Sequence, residues 1–225
     1  MIQALIFDFD GLILDTETPI FRSWQELYAA HGGSLTIDQW AHVVGTASLE
    51  QDHFARLEGQ IGFALDRAAL APMRRQREWE LVLAQPLLPG VLDYLQEGRR
   101  LGLKIGLASS SPCRWVTAHL ERLEIIGYFD CIYARDDVQR VKPDPELFLA
   151  VLAELRVAPE AAVIFEDSPL GVQAAKAAGA WCVAVPNPVT RHFSLAQADL
   201  CLGSLAEISL EELLHKLEGM RPRPA

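Results

Sequence analysis

The chain has 225 residues, half of them hydrophobic and 22% charged, a composition suited to one large globular domain or to a domain carrying a substantial insert. Thirty acidic residues against 20 basic ones leave a formal charge of −10, which repels nucleic acid and anionic membranes, so neither is expected as a partner. No apolar run reaches the ~18 residues of a membrane span, and the N-terminus lacks the basic start and cleavage site of a signal peptide, so a cytoplasmic protein is expected.

Leu5-Ile6-Phe7 is an apolar run closed by Asp8, Asp10 and the turn-forming Gly11, and it predicts a short strand buried on both faces. The period then changes. Thr18-Pro19 opens a helix on which Phe21, Trp24, Leu27 and Tyr28 recur at helical spacing up to His31-Gly32-Gly33. Further helix starts are read at Thr36-Ile37-Asp38, Ala47-Ser48 and Leu65-Asp66. Arg67 to Leu83 forms a long charge-laced helix with exposed pairs such as Arg74 and Glu78. So much helix between two strands exceeds a crossover and suits an inserted all-helical domain, left through Gln85-Pro86 and Pro89-Gly90.

Beyond Gly90 helix and strand alternate. Helices are expected over Val91 to Leu101, Pro112 to Leu123, Glu146 to Leu155, from Pro169 to Gly179, and over Leu210 to Met220, with a frayed tail after Met220. Strands are expected at Lys104 to Ala108, Cys131 to Ala134, Ala162 to Phe165, Trp181 to Val185 and Asp199 to Leu202. Such alternation predicts an α/β fold, a doubly wound, Rossmann-like parallel sheet with helices on both faces. Cys113, Cys131, Cys182 and Cys201 show no metal-ligand spacing. Three of them lie in strand-like runs, where a reduced thiol acts as a small hydrophobe, and the six His residues form no HxH or HExxH.

In a parallel sheet the carboxyl ends of all strands share one edge, where such folds bind ligands. Asp8 and Asp10 end the first strand, Ser109 ends the second, Lys142 follows the third, and Glu166 and Asp167 end the fourth. Singly, Ser109 reads as a helix cap, Lys142 as a solvated charge and Glu166-Asp167 as turn residues. Together, Asp8, Glu166 and Asp167 crowd negative charge that a hard cation relieves, and magnesium fits that demand. With the cation present one carboxylate can attack phosphorus, while Lys142 and Ser109 hold phosphoryl oxygens. Asp10 is left to protonate the leaving oxygen and then to activate water.

The segments DFDGLILDT, LASSS, VKPDP and FEDSPLGVQAAKAAG resemble the four ordered motifs of the haloacid dehalogenase superfamily, in its branch with a helical cap inserted after the first motif. The resemblance covers nearly the whole chain, although the cap matches mainly in position and helical character. It implies a catalytic core over 1–16 and 87–225 and a cap over 17–86. It also implies that Asp8 is the nucleophile and a magnesium ligand, and that Asp10 is the acid/base whose backbone carbonyl also binds the metal. By the same likeness Asp167 is a ligand, Glu166 supports the metal directly or through water, and Ser109 and Lys142 contact the phosphoryl group. Ser110 and Gly11 complete the expected phosphate-binding set.

Within that superfamily, Asp10 argues against the metal-free dehalogenases, and the lack of Lys between Thr16 and Gln85 argues against imine-forming hydrolases. The nearest likeness is to the branch of β-phosphoglucomutase and sugar-phosphate phosphatases. Ile20 stands where such mutases carry a His, and Gly45 to Glu50 supplies no Arg, so phosphatase is favoured. The expected function is magnesium-dependent hydrolysis of a small phosphorylated metabolite, a sugar or polyol phosphate, through an aspartyl phosphate. The alternative is an isomerase moving phosphate between sugar hydroxyls; a non-catalytic binding protein is disfavoured because no core Asp is lost. From the cap, Glu17, Thr18, Gly45 and Thr46 are candidate contacts to the leaving group, and Arg75, with Arg74 and Arg77, is a candidate for a distal phosphate, although these three read more readily as a solvated face. Nothing in the pattern sets the oligomeric state, and a monomer is the default.

Overall fold

The computed structural model describes residues 1–41 and 52–220. Strand β1 (Ala4–Phe7) is buried throughout and runs into the turn that holds Asp8, Asp10 and Gly11. Among the described residues four helices follow: α1 (Glu17–Ala30), α2 (Ile37–Ala41), α3 (His53–Ile61) and α4 (Arg67–Leu83). The expected helix start at Ala47-Ser48, like Gly45 and Thr46, lies outside the described residues. Helix α3, which the sequence pattern did not reveal, is capped by Asp52, whose carboxylate accepts the Ala55 N–H at 3.0 Å. Asp66 caps α4 in the same way through the Ala69 N–H at 3.1 Å. At the head of α2, Thr36 and Gln39 exchange side-chain to backbone bonds at 3.0 and 3.3 Å, a reciprocal capping pair.

The rest of the chain alternates: α5 (Val91–Arg100), β2 (Lys104–Ala108), α6 (Cys113–Arg122), β3 (Cys131–Tyr133), α7 (Glu146–Leu155), β4 (Ala162–Glu166), α8 (Pro169–Ala177), β5 (Trp181–Ala184), β6 (Leu200–Cys201) and α9 (Leu210–Met220). All six strands are parallel, in the order β3-β2-β1-β4-β5-β6. This is the doubly wound arrangement expected, with the chain reversing direction across the sheet at β1. The pleat divides each strand between two cores. Leu5, Phe7, Ile105, Leu107, Val163 and Phe165 pack under α5, α6 and α9, whereas Ala4, Ile6, Ala108, Ile164 and Cys182 pack under α7 and α8. Burying each of the larger side chains contributes about 1.5–3 kcal/mol. The Phe7 and Phe165 rings stack at 4.8 Å between neighbouring strands, beneath the site.

Helices α1 to α3 bury a further apolar cluster, with Phe21, Tyr28, Leu35, Trp40 and Leu57 at its centre and Val189 packed into it from between β5 and β6, whereas Val82 of α4 joins the core under the sheet. Charges tie these helices together. Arg67 bridges Asp52 and Glu58, and Arg77 meets Glu26 at 2.7 Å. The Arg74–Glu78 pair, expected to be exposed, is instead partly buried: Arg74 also donates to Ser23 Oγ at 3.0 Å and lies 4.7 Å over the Trp24 ring. Cys201 differs as well. It is exposed because β6 is an edge strand of two residues, while Cys182 is buried as a small hydrophobe should be, and all four thiols are free. Among the described residues no helix is long and apolar enough to cross a membrane.

Candidate active site

Register brings the strand ends level. Phe7 pairs with Leu107 on one side and Phe165 on the other, so Asp8, Ser109 and Glu166 emerge at the same edge from adjacent strands. Lys142 arrives from the loop between β3 and α7. Its ammonium donates to Asp8, to Glu166 Oε1 at 2.6 Å and to the Ala108 carbonyl at 2.9 Å, and it lies 4.7 Å over the Phe148 ring. Burial alone would lower the Lys142 pKa, but Asp8 and Glu166 against it carry it above the ordinary lysine range.

The other oxygen of Glu166 accepts the N–H groups of Asp167 and Ser168 at 3.1 and 3.2 Å and the Ser168 hydroxyl at 3.1 Å. A Cβ at Gly171 would run into this carboxyl group, so the first turn of α8 can approach it only with glycine there. Asp167 is buried alongside and accepts Asn187 Nδ2 at 2.6 Å. Asn187 is itself fixed, its carbonyl oxygen accepting the Val189 and Thr190 N–H groups at 2.8 and 2.9 Å. Gly11, at φ +80°, passes so close to Asp167 and Asn187 that any Cβ would collide with both. Its N–H is committed to the Leu14 carbonyl at 2.8 Å, so Gly11 shapes the turn and has no backbone donor left for phosphate.

Asp8, Glu166 and Asp167 offer carboxylate oxygens within 4.8 Å of one another. Burial, opposed by Lys142 and reinforced by Glu166 and Asp10, raises the Asp8 pKa well above the usual carboxylate range; burial, Glu166 and Asp8 do the same to Asp167. Three buried carboxylates facing one ammonium leave a charge deficit that a hard, oxygen-seeking cation would fill, so this donor set fits a metal ion.

Asp10 stands apart from that cluster. Its Oδ2 accepts the Ser109 hydroxyl at 3.2 Å and its Oδ1 accepts Trp115 Nε1 at 2.9 Å. Ser109 is fully buried and also accepts the Ser111 N–H at 3.0 Å, so its hydroxyl is spent on Asp10 and the turn. The Ser110 hydroxyl, by contrast, is buried with no hydrogen-bond partner among the described residues, and Ser110 borders the cavity.

That cavity measures about 640 Å³ and is lined from the sheet edge by Asp8, Asp10, Ser110, Lys142 and Asp167. Across from them stand Glu17, Ile20 and Glu78 of α1 and α4, with Arg114, Trp115 and Arg135 at the side. Burial, with Asp10, Asp15 and Glu78 nearby, pushes the Glu17 pKa up to about 7. Arg75 is exposed on α4 and is not among the lining residues. Sequence reasoning missed Asn187, Trp115, Glu78, Arg114 and Arg135.

A parallel α/β sheet with buried acids and a lysine at the reversal of its strand order defines a ligand-handling class of protein. The profile of the haloacid dehalogenase-like hydrolases matches residues 5–185, and the chain belongs to that family. It is therefore an enzyme of the hydrolase kind. The Bacillus subtilis protein YhcW is 46% identical over 219 residues, covering 97% of this chain and 99% of that one. The phosphorylated carbohydrates phosphatase of Thermotoga maritima is 33% identical, covering 96% and 98%. A haloacid dehalogenase family hydrolase from Deinococcus radiodurans, solved with bound phosphate and sodium, superposes with a TM-score of 0.78 at 26% identity, covering 98% of both chains.

Proposed function

We propose that this enzyme is a magnesium-dependent phosphatase acting on a small phosphorylated sugar or polyol through an aspartyl phosphate, with residues 17–86 serving as a cap over a core of 1–16 and 87–225. One observation carries the proposal: Asp8 and Asp10 reach the same cavity in opposite states of engagement, Asp8 against Lys142 and the acidic cluster, Asp10 apart from it between Ser109 and Trp115. The relatives named above, one of them a phosphatase of phosphorylated carbohydrates, support it.

An Asp8 carboxylate oxygen attacks phosphorus and forms an acyl phosphate as the bond to the substrate oxygen breaks. Asp10, as general acid, gives a proton to that leaving oxygen. Water then attacks the phosphorus while Asp10 takes its proton, the bond to Asp8 breaks, and inorganic phosphate departs. Lys142 supplies positive charge to the transferring group, and the unpartnered Ser110 hydroxyl is the side-chain donor left to hold its oxygens. Asp8 and Asp167 would hold magnesium together with the Asp10 carbonyl, and Glu166, whose oxygens are engaged by Lys142 and Ser168, would act through water. The bound cation would offset the repulsion between carboxylate and phosphate.

A second reading, transfer of phosphate between sugar hydroxyls, draws on Arg114 and Arg135 beside the cavity as holders of a second phosphate. Against it, Arg74 and Arg77 are tied to α1, and the lining residue Ile20 offers nothing to an anion. A panel of phosphorylated sugars and polyols, assayed with magnesium beside the Asp8→Asn variant, decides. Release of phosphate by the parent alone supports hydrolysis; conversion of β-glucose 1-phosphate to glucose 6-phosphate with a bisphosphate activator supports the isomerase.

A further inference from the structure

We infer that Trp115 is a positioning residue for Asp10, and that Trp79 on the cap helix α4 holds Trp115 in place. The inference rests on the acid/base reading of Asp10 given above. Asp10 lies beyond the end of β1 and just ahead of the turn at Gly11, so its carboxyl plane is set by the donors that reach it. Among the described residues these are two: the Ser109 hydroxyl from the end of β2 and the indole N–H of Trp115 from the first turn of α6, one on each oxygen. Removing either leaves the carboxyl free to rotate away from the leaving oxygen.

The Trp115 ring is in turn held by aromatic neighbours. His119, one turn along α6, meets it edge to face at 4.5 Å and 76°, and Trp79 meets it at 5.3 Å and 60°. Trp79 also lies 5.2 Å from His119, which stacks on Phe9 at 6.1 Å. The His119 ring is buried and neither of its nitrogens has a hydrogen-bond partner among the described residues, so it serves as a wall of this aromatic box. Three of the four rings belong to the core and the fourth to the cap. Trp79 is 37% exposed, held from one side, so a displacement of α4 removes one wall from Trp115. Orientation of the acid/base group thus depends on where the cap sits, and a misplacement of about 1 Å at such a group is enough to cost up to ~100-fold in rate.

The test follows the indole N–H resonances of the five Trp residues in ¹⁵N-labelled protein, with that of Trp115 assigned by its loss in Trp115→Phe. In Asp10→Ala the Trp115 resonance should move upfield and exchange faster with solvent, and in Trp79→Ala it should move in the same direction by less. An unchanged resonance in either variant overturns the corresponding half of the inference. This readout needs no turnover, so it decides even if the parent releases no phosphate and the proposed function fails. In the active enzyme, Trp115→Phe, which keeps the ring and loses the donor, should lower kcat about tenfold with KM within about twofold. A raised KM at unchanged kcat would make Trp115 a substrate contact and overturn the assignment.

Discussion

The two walls of the cavity are built on different terms. On the sheet side nearly every polar group is spoken for: Lys142 has three acceptors, Glu166 has four donors, and Asp167 is held by an amide that is itself held by two backbone N–H groups. On the helical side Glu17, Ile20 and Glu78 face the space with little between them, and Arg74 and Arg77 of α4 turn toward α1. Chemistry requires groups fixed to within a fraction of an ångström before substrate arrives, and a dense buried network provides that. Substrate choice requires a shape and a few contacts, which a sparse wall can change without disturbing the reaction.

Substitutions on the two walls should therefore differ in size and kind. The largest effect is expected at the nucleophile: Asp8→Asn should lower kcat by on the order of 10⁴-fold or more, read as phosphate release against time. Lys142→Met comes next. It strands Asp8 and Glu166 without their counter-charge, so the apoprotein should lose about 3–5 kcal/mol in urea unfolding and most of its activity. A smaller loss is expected at Asn187→Ala, which frees Asp167 without removing a ligand: magnesium activation should shift to ~10–100-fold higher concentration with kcat at saturating metal largely kept.

The smallest effect lies on the helical wall. The folded-state pKa of Glu17, at about 7, is raised above its unfolded value, so the folded protein binds the extra proton between pH ~4.5 and ~7 and loses stability as pH rises through that window. Replacing it by Gln removes the charge that would be formed. Glu17→Gln should match the parent in thermal unfolding near pH 5 and exceed it by about 1 kcal/mol near pH 8, solvent screening at the cavity mouth having reduced the full shift. A Glu17→Gln variant that instead lost kcat as Asp8→Asn does would erase the distinction between the walls.

The same difference explains what could be read from the sequence. Asp8, Lys142 and Glu166 were legible because each closes or follows an apolar run of strand period, and a parallel sheet sends all such ends to one edge. Asn187 was not, since an Asn between two prolines reads as an ordinary turn and nothing local says that its amide reaches back to Asp167. Trp115 and Glu78 sit on helices where their spacing also suits a packed or solvated face, and only the docking of α4 against α6 turns them toward the cavity. Ser109 was placed correctly at its strand end, but its hydroxyl goes to Asp10 because the turn at Ser111 draws it inward, which leaves the unpartnered hydroxyl to Ser110. The parallel sheet followed from alternating elements, whereas the start of α3 is set by the Asp52 cap, and the helix start read from the sequence stood earlier, at Ala47-Ser48.

The covalent role of Asp8 is the point on which the account turns. Parent protein, acid-quenched during turnover of a sugar phosphate with magnesium, should carry one phosphoryl group on the peptide containing Asp8, labile to hydroxylamine and missing when Asp8 is replaced by Asn. Phosphate release by the parent with no such adduct at any time after mixing, and with activity surviving in Asp8→Asn, would contradict it.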